Sequence, residues 1–97
     1  MIYTVVFDED ASDDVSEISE WYEKQRHGLG EEFIYAVEAA VFEISRNPFY
    51  QTVYKSVRRK NLRRFPYSIF YSVKSEIAKI HVVMHASRNP KTWKKRL

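Results

Sequence analysis

Apolar and polar positions change period along this chain, and the changes mark its elements. Ile2 to Phe7 is a short β-branched and aromatic run that predicts a strand. Val15, Ile18 and Tyr22 then recur at helical spacing, with Trp21 beside them. Asp10 is the predicted N-cap of this helix, because Asp13 and Asp14 put carboxylates in a first turn where the helix dipole favours them. The helix is predicted to end near His27 and Gly28, and LGEE restarts a second with two acids in its first turn. Phe33, Val37, Ala40, Val41 and Ile44 form the second helix's inner stripe, and Asn47-Pro48 stops it. Tyr35 and Phe42 fall off that stripe, seven residues apart and so on one side of the helix. They are expected to pack against the first helix in a hairpin; left exposed, they would mark with Trp21 a docking face for another protein.

After a loop around PFYQTVYKS come three strand-like runs: Val57 to Arg64, Tyr67 to Val73 and Ile77 to Ala86. FP and KSE punctuate them, short enough for antiparallel hairpins. Strict alternation puts Tyr67, Ile69, Tyr71 and Val73 on one face of the middle run. In the last run it puts Ala78, Ile80, Val82, Met84 and Ala86 on one face, with Ile77, Lys79, His81, Val83 and His85 opposite. The tail SRNPKTWKKRL predicts a single helical turn after Pro90, with Trp93 tucking the tail onto the domain. The sum is one α+β domain over residues 1–97, ordered β-α-α-β-β-β, with a helical hairpin covering one face of a small antiparallel sheet.

Composition narrows the chemistry. Ninety-seven residues suffice for a single core. The absence of cysteine excludes disulfides, thiolate metal sites and cysteine nucleophiles, and neither a metal nor a cofactor is expected. No apolar run approaches the ~20 residues of a membrane span, and MIYTVVFDED lacks a signal-peptide shape, so a cytoplasmic protein with no membrane partner is expected.

The net charge of +3 conceals a steep asymmetry. Residues 1–54 hold three basic residues against twelve acidic ones, whereas residues 55–97 hold thirteen against Glu76 alone. Such halves either face a polyanionic partner or neutralise each other inside the fold. The segment 58–64 packs five cations into seven positions: Arg58, Arg59, Lys60, Arg63 and Arg64. Both faces of that strand are charged, which predicts a sheet edge or an open face where Arg58, Arg59, Lys60 and Arg63 meet nucleic acid or another target.

The order of elements, the helix pair WYEKQRHGLGEEFIYAVEAAVFEI, the strand pair LRRFPYSIFYSV and the ending VVMHASRNPKTW together resemble the RelE/ParE toxin superfamily. That resemblance covers nearly the whole chain. It implies a bacterial type II toxin, of the plasmid-stabilising kind, held silent by a cognate antitoxin; operator binding is expected of the antitoxin and not of this chain. The superfamily joins two activities. RelE-like members cut mRNA in the ribosomal A site without a metal, whereas ParE-like members bind DNA gyrase and poison it. The long uninterrupted hairpin resembles the ParE branch.

Metal-free RNA cleavage needs a base for the 2′-OH, a cation for the phosphate and an acid for the leaving oxygen. No acidic residue occurs between Glu43 and Glu76, which leaves His85 as the candidate base. Arg64 and Arg88 are candidate phosphate forks and Tyr71 a candidate hydroxyl donor. Some ribonucleolytic relatives place a tyrosine directly after a histidine near the C-terminus; here Ala86 follows His85, and no tyrosine follows Tyr71. That departure favours the gyrase-directed reading over the ribonuclease, with a toxin-like fold that keeps only partner binding as a third.

Overall fold

The computed structural model describes residues 2–97. Strand β1 (Thr4–Phe7) leads into helices α1 (Glu9–Gln25) and α2 (Leu29–Arg46). Strands β2 (Thr52–Tyr54), β3 (Val57–Asn61), β4 (Tyr67–Lys74) and β5 (Ile77–His85) follow, and α3 (Pro90–Lys94) closes the chain. The five strands form one sheet in the order β1-β5-β4-β3-β2. The hairpin α1–α2 covers one face, and α3 covers part of the other.

Helix α1 starts two residues earlier than predicted. Asp8 still belongs to the sheet, its N–H donating to the Ile80 carbonyl (2.8 Å), and Ser12 N–H closes the first helical turn onto the Asp8 carbonyl (3.0 Å). Asp8, and not Asp10, is therefore the N-cap. The break between the helices falls at Gly28, in the left-handed region at φ 89°. The Glu23 carboxylate accepts from the N–H groups of Gly28 and Gly30 at 3.1 Å, taking two of the donors that a helix start leaves open. Gly30 sits at the closest approach of the two helices: a Cβ there would lie 2.6 Å from the Ser19 carbonyl oxygen.

The predicted stripe of α2 is the buried one: Phe33, Val37, Ala40 and Ile44 are buried and Val41 packs against them. They meet Ile69, Tyr71, Ala78, Ile80 and Val83 of the sheet. Phe33 and Tyr22 pack with Phe65 and Tyr67 in edge-on and stacked contacts between 5.0 and 6.1 Å, an aromatic plug at one end of this core.

Four further expectations change. The loop PFYQTVYKS contains β2, which pairs with β3 through a Lys55-Ser56 turn, so the charged strand β3 is not the edge. Strand β1 pairs in parallel with β5, which makes the sheet mixed. A bulge at His81 interrupts the alternation of β5, because Phe70 opposes Val82 while Tyr71 opposes Ile80. Ala78 and Ile80 face the helices as predicted; past the bulge Val83 faces them, while Val82 and Met84 turn to the α3 side. Finally, Tyr35 and Phe42 do not pack between the helices. They are 58% and 60% exposed, and Trp21 is 55% exposed.

Candidate functional site

The cations of 58–64 are held by the fold itself. Cross-strand pairing of Lys60 with Ile69 and of Arg58 with Tyr71 puts both on the helix face. There Lys60 pairs with Glu43 of α2 (2.5 Å), its stem almost buried, and Arg63 takes the other oxygen of the same carboxylate (2.8 Å). Arg64, at φ 70° in the turn after β3, reaches Glu32 (2.8 Å), which also receives Arg26 (2.9 Å). These cations hold the carboxyls of Glu43 and Glu32 below the usual carboxylate range, mainly by hydrogen bonds from Lys60 and from Arg64. Arg58 donates to the Tyr50 carbonyl (2.6 Å) and lies over the Phe49 ring. Arg59 points to the other face, stacked over Phe70, and donates to Ser68 (3.0 Å) and Asn61 (3.1 Å). All five cations thus have a partner within the chain. The cations of this segment are matched to α2 on one side and to sheet side chains on the other, while Arg63 and Arg64 stay largely exposed.

The four residues considered for catalysis are dispersed. His85 and Arg88 share a groove of about 280 Å³ with Asp14, Glu17, Tyr67 and Thr92, between the end of β5, α1 and α3. Tyr71 and Arg64 do not line it. Tyr71 is fully buried, its hydroxyl donates to the Pro48 carbonyl (2.6 Å), and burial pushes its pKa up to about 12. A hydroxyl so placed has no route to a substrate. Within the groove, Nδ1 of His85 accepts the Ser87 backbone N–H (3.1 Å) and lies 2.7 Å from the Ser87 hydroxyl. In the neutral ring that contact places the proton on Nε2 and turns the Nδ1 lone pair toward Ser87. Asp14 is also engaged: it accepts the Val83 N–H (3.0 Å) left open past the end of β1, and pairs with Arg96 of the tail (2.8 Å).

The outward side of the hairpin presents Trp21 on α1 and Tyr35 and Phe42 on α2. Tyr35 bonds through its hydroxyl to Glu31, and Arg46 lies over the Phe42 ring at 5.7 Å. These local partners orient the rings without covering them.

A family model described as the ParE toxin of the type II toxin–antitoxin system parDE matches residues 5–90. The chain belongs to this ParE toxin family. It is a type II toxin of the RelE/ParE superfamily. No curated protein matches it. Among solved structures it is similar to a chain of the chromosomal ParDE system from P. aeruginosa, at 20% identity and TM-score 0.66 over 87% of this chain and 96% of that one. It is also similar to a chain of the toxin–antitoxin complex RelBE2 from Mycobacterium tuberculosis, at 21% identity and TM-score 0.63 over 88% and 99%. A free E. coli RelE toxin mutant gives 17% identity and TM-score 0.64 over 99% and 95%. At these identities the likeness is one of fold, and ParE and RelE structures share it nearly equally.

For this ParE family member, sequence reasoning missed β2, the bulge and the groove. Thr52-Val53-Tyr54 carries a strand signal that the surrounding polar and proline residues masked. The bulge leaves no mark in composition, and the meeting of Asp14 with β5 spans 69 positions. Among the described residues, no helix is long and apolar enough to cross a membrane.

Proposed function

We propose that this toxin acts by binding and inhibiting DNA gyrase, and that a cognate antitoxin silences it. The observation that carries the reading is the hairpin: three large aromatic residues stay more than half exposed on the α1–α2 side while the sheet-side core is filled. Aromatic side chains supply much of the energy of protein interfaces, and an isolated folded chain gains nothing by exposing them. Membership of the ParE family supports the same reading. So does the dispersal of Arg64 and Tyr71 away from the groove that holds His85 and Arg88. The antitoxin is supported by the ParDE and RelBE2 structures, in which relatives of this chain belong to toxin–antitoxin systems.

Two assays on the same purified protein test the reading. Gyrase supercoiling of relaxed plasmid should fall as the toxin is added, and mRNA in a cell-free translation extract should stay intact by primer extension. Normal supercoiling together with cuts inside codons on translating ribosomes, lost in His85→Ala or Arg88→Ala, would replace it with a ribonuclease.

A further inference from the structure

The α3 side of the molecule is electropositive, and sequence and topology together make it so. Glu76 is the one acidic residue after Glu43, and it sits in the turn between β4 and β5. Strands β2 to β5 and helix α3 therefore carry no side-chain carboxylate. The remaining acids are Asp8 and residues of α1 and α2. Among the described residues, Asp14 is the one acid ion-paired to the tail, and Arg96 takes it (2.8 Å). Lys55, Lys91, Lys94 and Lys95 are exposed and have no ion pair among the described residues.

These four lysines are gathered by the packing of α3. Trp93 faces the sheet, stacked on Phe70 at 4.6 Å, which turns Lys91 and Lys95, two positions to either side of it, outward. Lys94 turns toward β2, its ammonium 4.8 Å from the centre of the Tyr54 ring, and Lys55 lies over the same ring at 5.1 Å. Two like charges share one aromatic ring, and neither has a carboxylate to offset the other; an arriving anion relieves that repulsion. The apolar groups of this face, Val57, Phe70, Val82 and Trp93, are buried. A ligand therefore meets charge here without apolar anchors and without an open ring. Protein partners draw on apolar and aromatic anchors, and single-stranded nucleic acid on stacking. A duplex backbone needs neither, because it presents closely spaced phosphates that lysine meets as a point charge.

We propose that Lys55, Lys91, Lys94 and Lys95 form a contact surface for the phosphate backbone of duplex DNA, without sequence preference. Arg88 lines the groove with Asp14 and Glu17 and stands outside this surface. The choice of DNA among rigid polyanions rests on the gyrase reading, because that enzyme works on duplex DNA. The hairpin then holds the enzyme while the lysines, across the sheet, meet the DNA.

The test is fluorescence anisotropy of a labelled DNA duplex of about 20 base pairs and arbitrary sequence, with the full chain and no gyrase. Binding should be micromolar at about 50 mM salt, and log affinity should fall against log salt with a slope of about −3.6, as four phosphate contacts require. Lys91→Ala with Lys94→Ala should weaken binding at least tenfold at low salt and make the slope shallower by about 2. Arg63→Ala with Arg64→Ala removes equal charge from the other basic segment and should stay within about threefold. All four side chains are exposed, and an unchanged melting temperature confirms that each variant folds. The proposal is overturned if the duplex does not bind at low salt, or if the two pairs of substitutions weaken it equally. It is also overturned if a single-stranded oligonucleotide or a duplex RNA binds as tightly, or if vesicles of phosphatidylglycerol displace the DNA through the same lysines. Lysine-dependent DNA binding by a toxin that leaves supercoiling untouched would support this surface and remove the gyrase reading. Gyrase inhibition without DNA binding would do the reverse.

Discussion

Two basic segments of equal charge meet opposite fates in this fold. Arg58, Arg59, Lys60, Arg63 and Arg64 all have partners inside the chain. Of Arg88, Lys91, Lys94, Lys95 and Arg96, only Arg96 is ion-paired among the described residues, with Asp14, and Lys94 lies over the Tyr54 ring. In the sequence the first segment stands out as the denser run. The difference lies in what the topology sets opposite each one. Helix α2 runs over β3 and brings Glu43 and Glu32 to it, whereas α3 lies on the far side of the sheet, away from most of the acidic helices. A dense charge run is therefore poor evidence for a binding face until its neighbours are known, and the sparser tail is the more exposed cationic surface.

The comparison can be broken first at the anchor of the exposed segment. Trp93 is buried against Phe70 and Tyr54 and fastens α3 to the sheet. Trp93→Ala should cost about 3 kcal/mol in urea unfolding, and amide exchange should show the tail from Asn89 onward losing protection first. At the internal segment, Glu43→Ala leaves Lys60, whose side chain is only 13% exposed, without its counter-charge. The expected loss is about 1–2 kcal/mol, larger than for any other single member of the ion-paired set. Arg64→Gly sharpens the same point. It removes a contact at a side chain 71% exposed, worth about 0.5 kcal/mol, and relieves a left-handed backbone by a similar amount, so the melting temperature should barely move. Replacing Lys91, Lys94 and Lys95 together by Ala should change stability by under about 0.5 kcal/mol, while elution from a cation-exchange column shifts to lower salt.

The smallest effect concerns pH. Burial, helped by Lys79 and opposed by Asp8, holds the His81 pKa below its ordinary 6.5. The folded state thus favours the neutral ring. Its contribution is complete above pH 6.5 and is lost as the pH falls through the folded value, because the unfolded chain takes up the proton first. His81→Gln should flatten the stability profile in that window, and an unchanged slope would show that His81 does not feel its burial.

Much of this architecture is legible in the sequence because periodicity reports local geometry. The α2 stripe, the alternation of Tyr67, Ile69, Tyr71 and Val73, the turn after Pro90 and the burial of Trp93 all follow from spacing and punctuation. The parallel pairing of β1 with β5, the His81 bulge and the matching of Glu43 to Lys60 depend on residues far apart in the chain, which one-dimensional patterns do not record. The bulge alone reverses the facing of Val82 and Val83, so one extra residue overturned half of the β5 reading. For the candidate site, residue types pointed to Arg64, Tyr71, His85 and Arg88, but only His85 and Arg88 share a groove. The exposed aromatics on the hairpin were visible as residues off the stripe; whether they pack inward was a question of tertiary contact.

The most direct test of the account is the affinity of the purified toxin for purified gyrase, measured for two variants side by side. Trp21→Ala, Tyr35→Ala and Phe42→Ala combined should weaken binding by at least tenfold, as expected for the loss of aromatic anchors. Arg58→Ala with Arg59→Ala should leave it within about twofold, because those side chains are occupied within the fold. Binding that survives loss of the hairpin aromatics but collapses without Arg58 and Arg59 would contradict the account and restore the basic strand as the working surface.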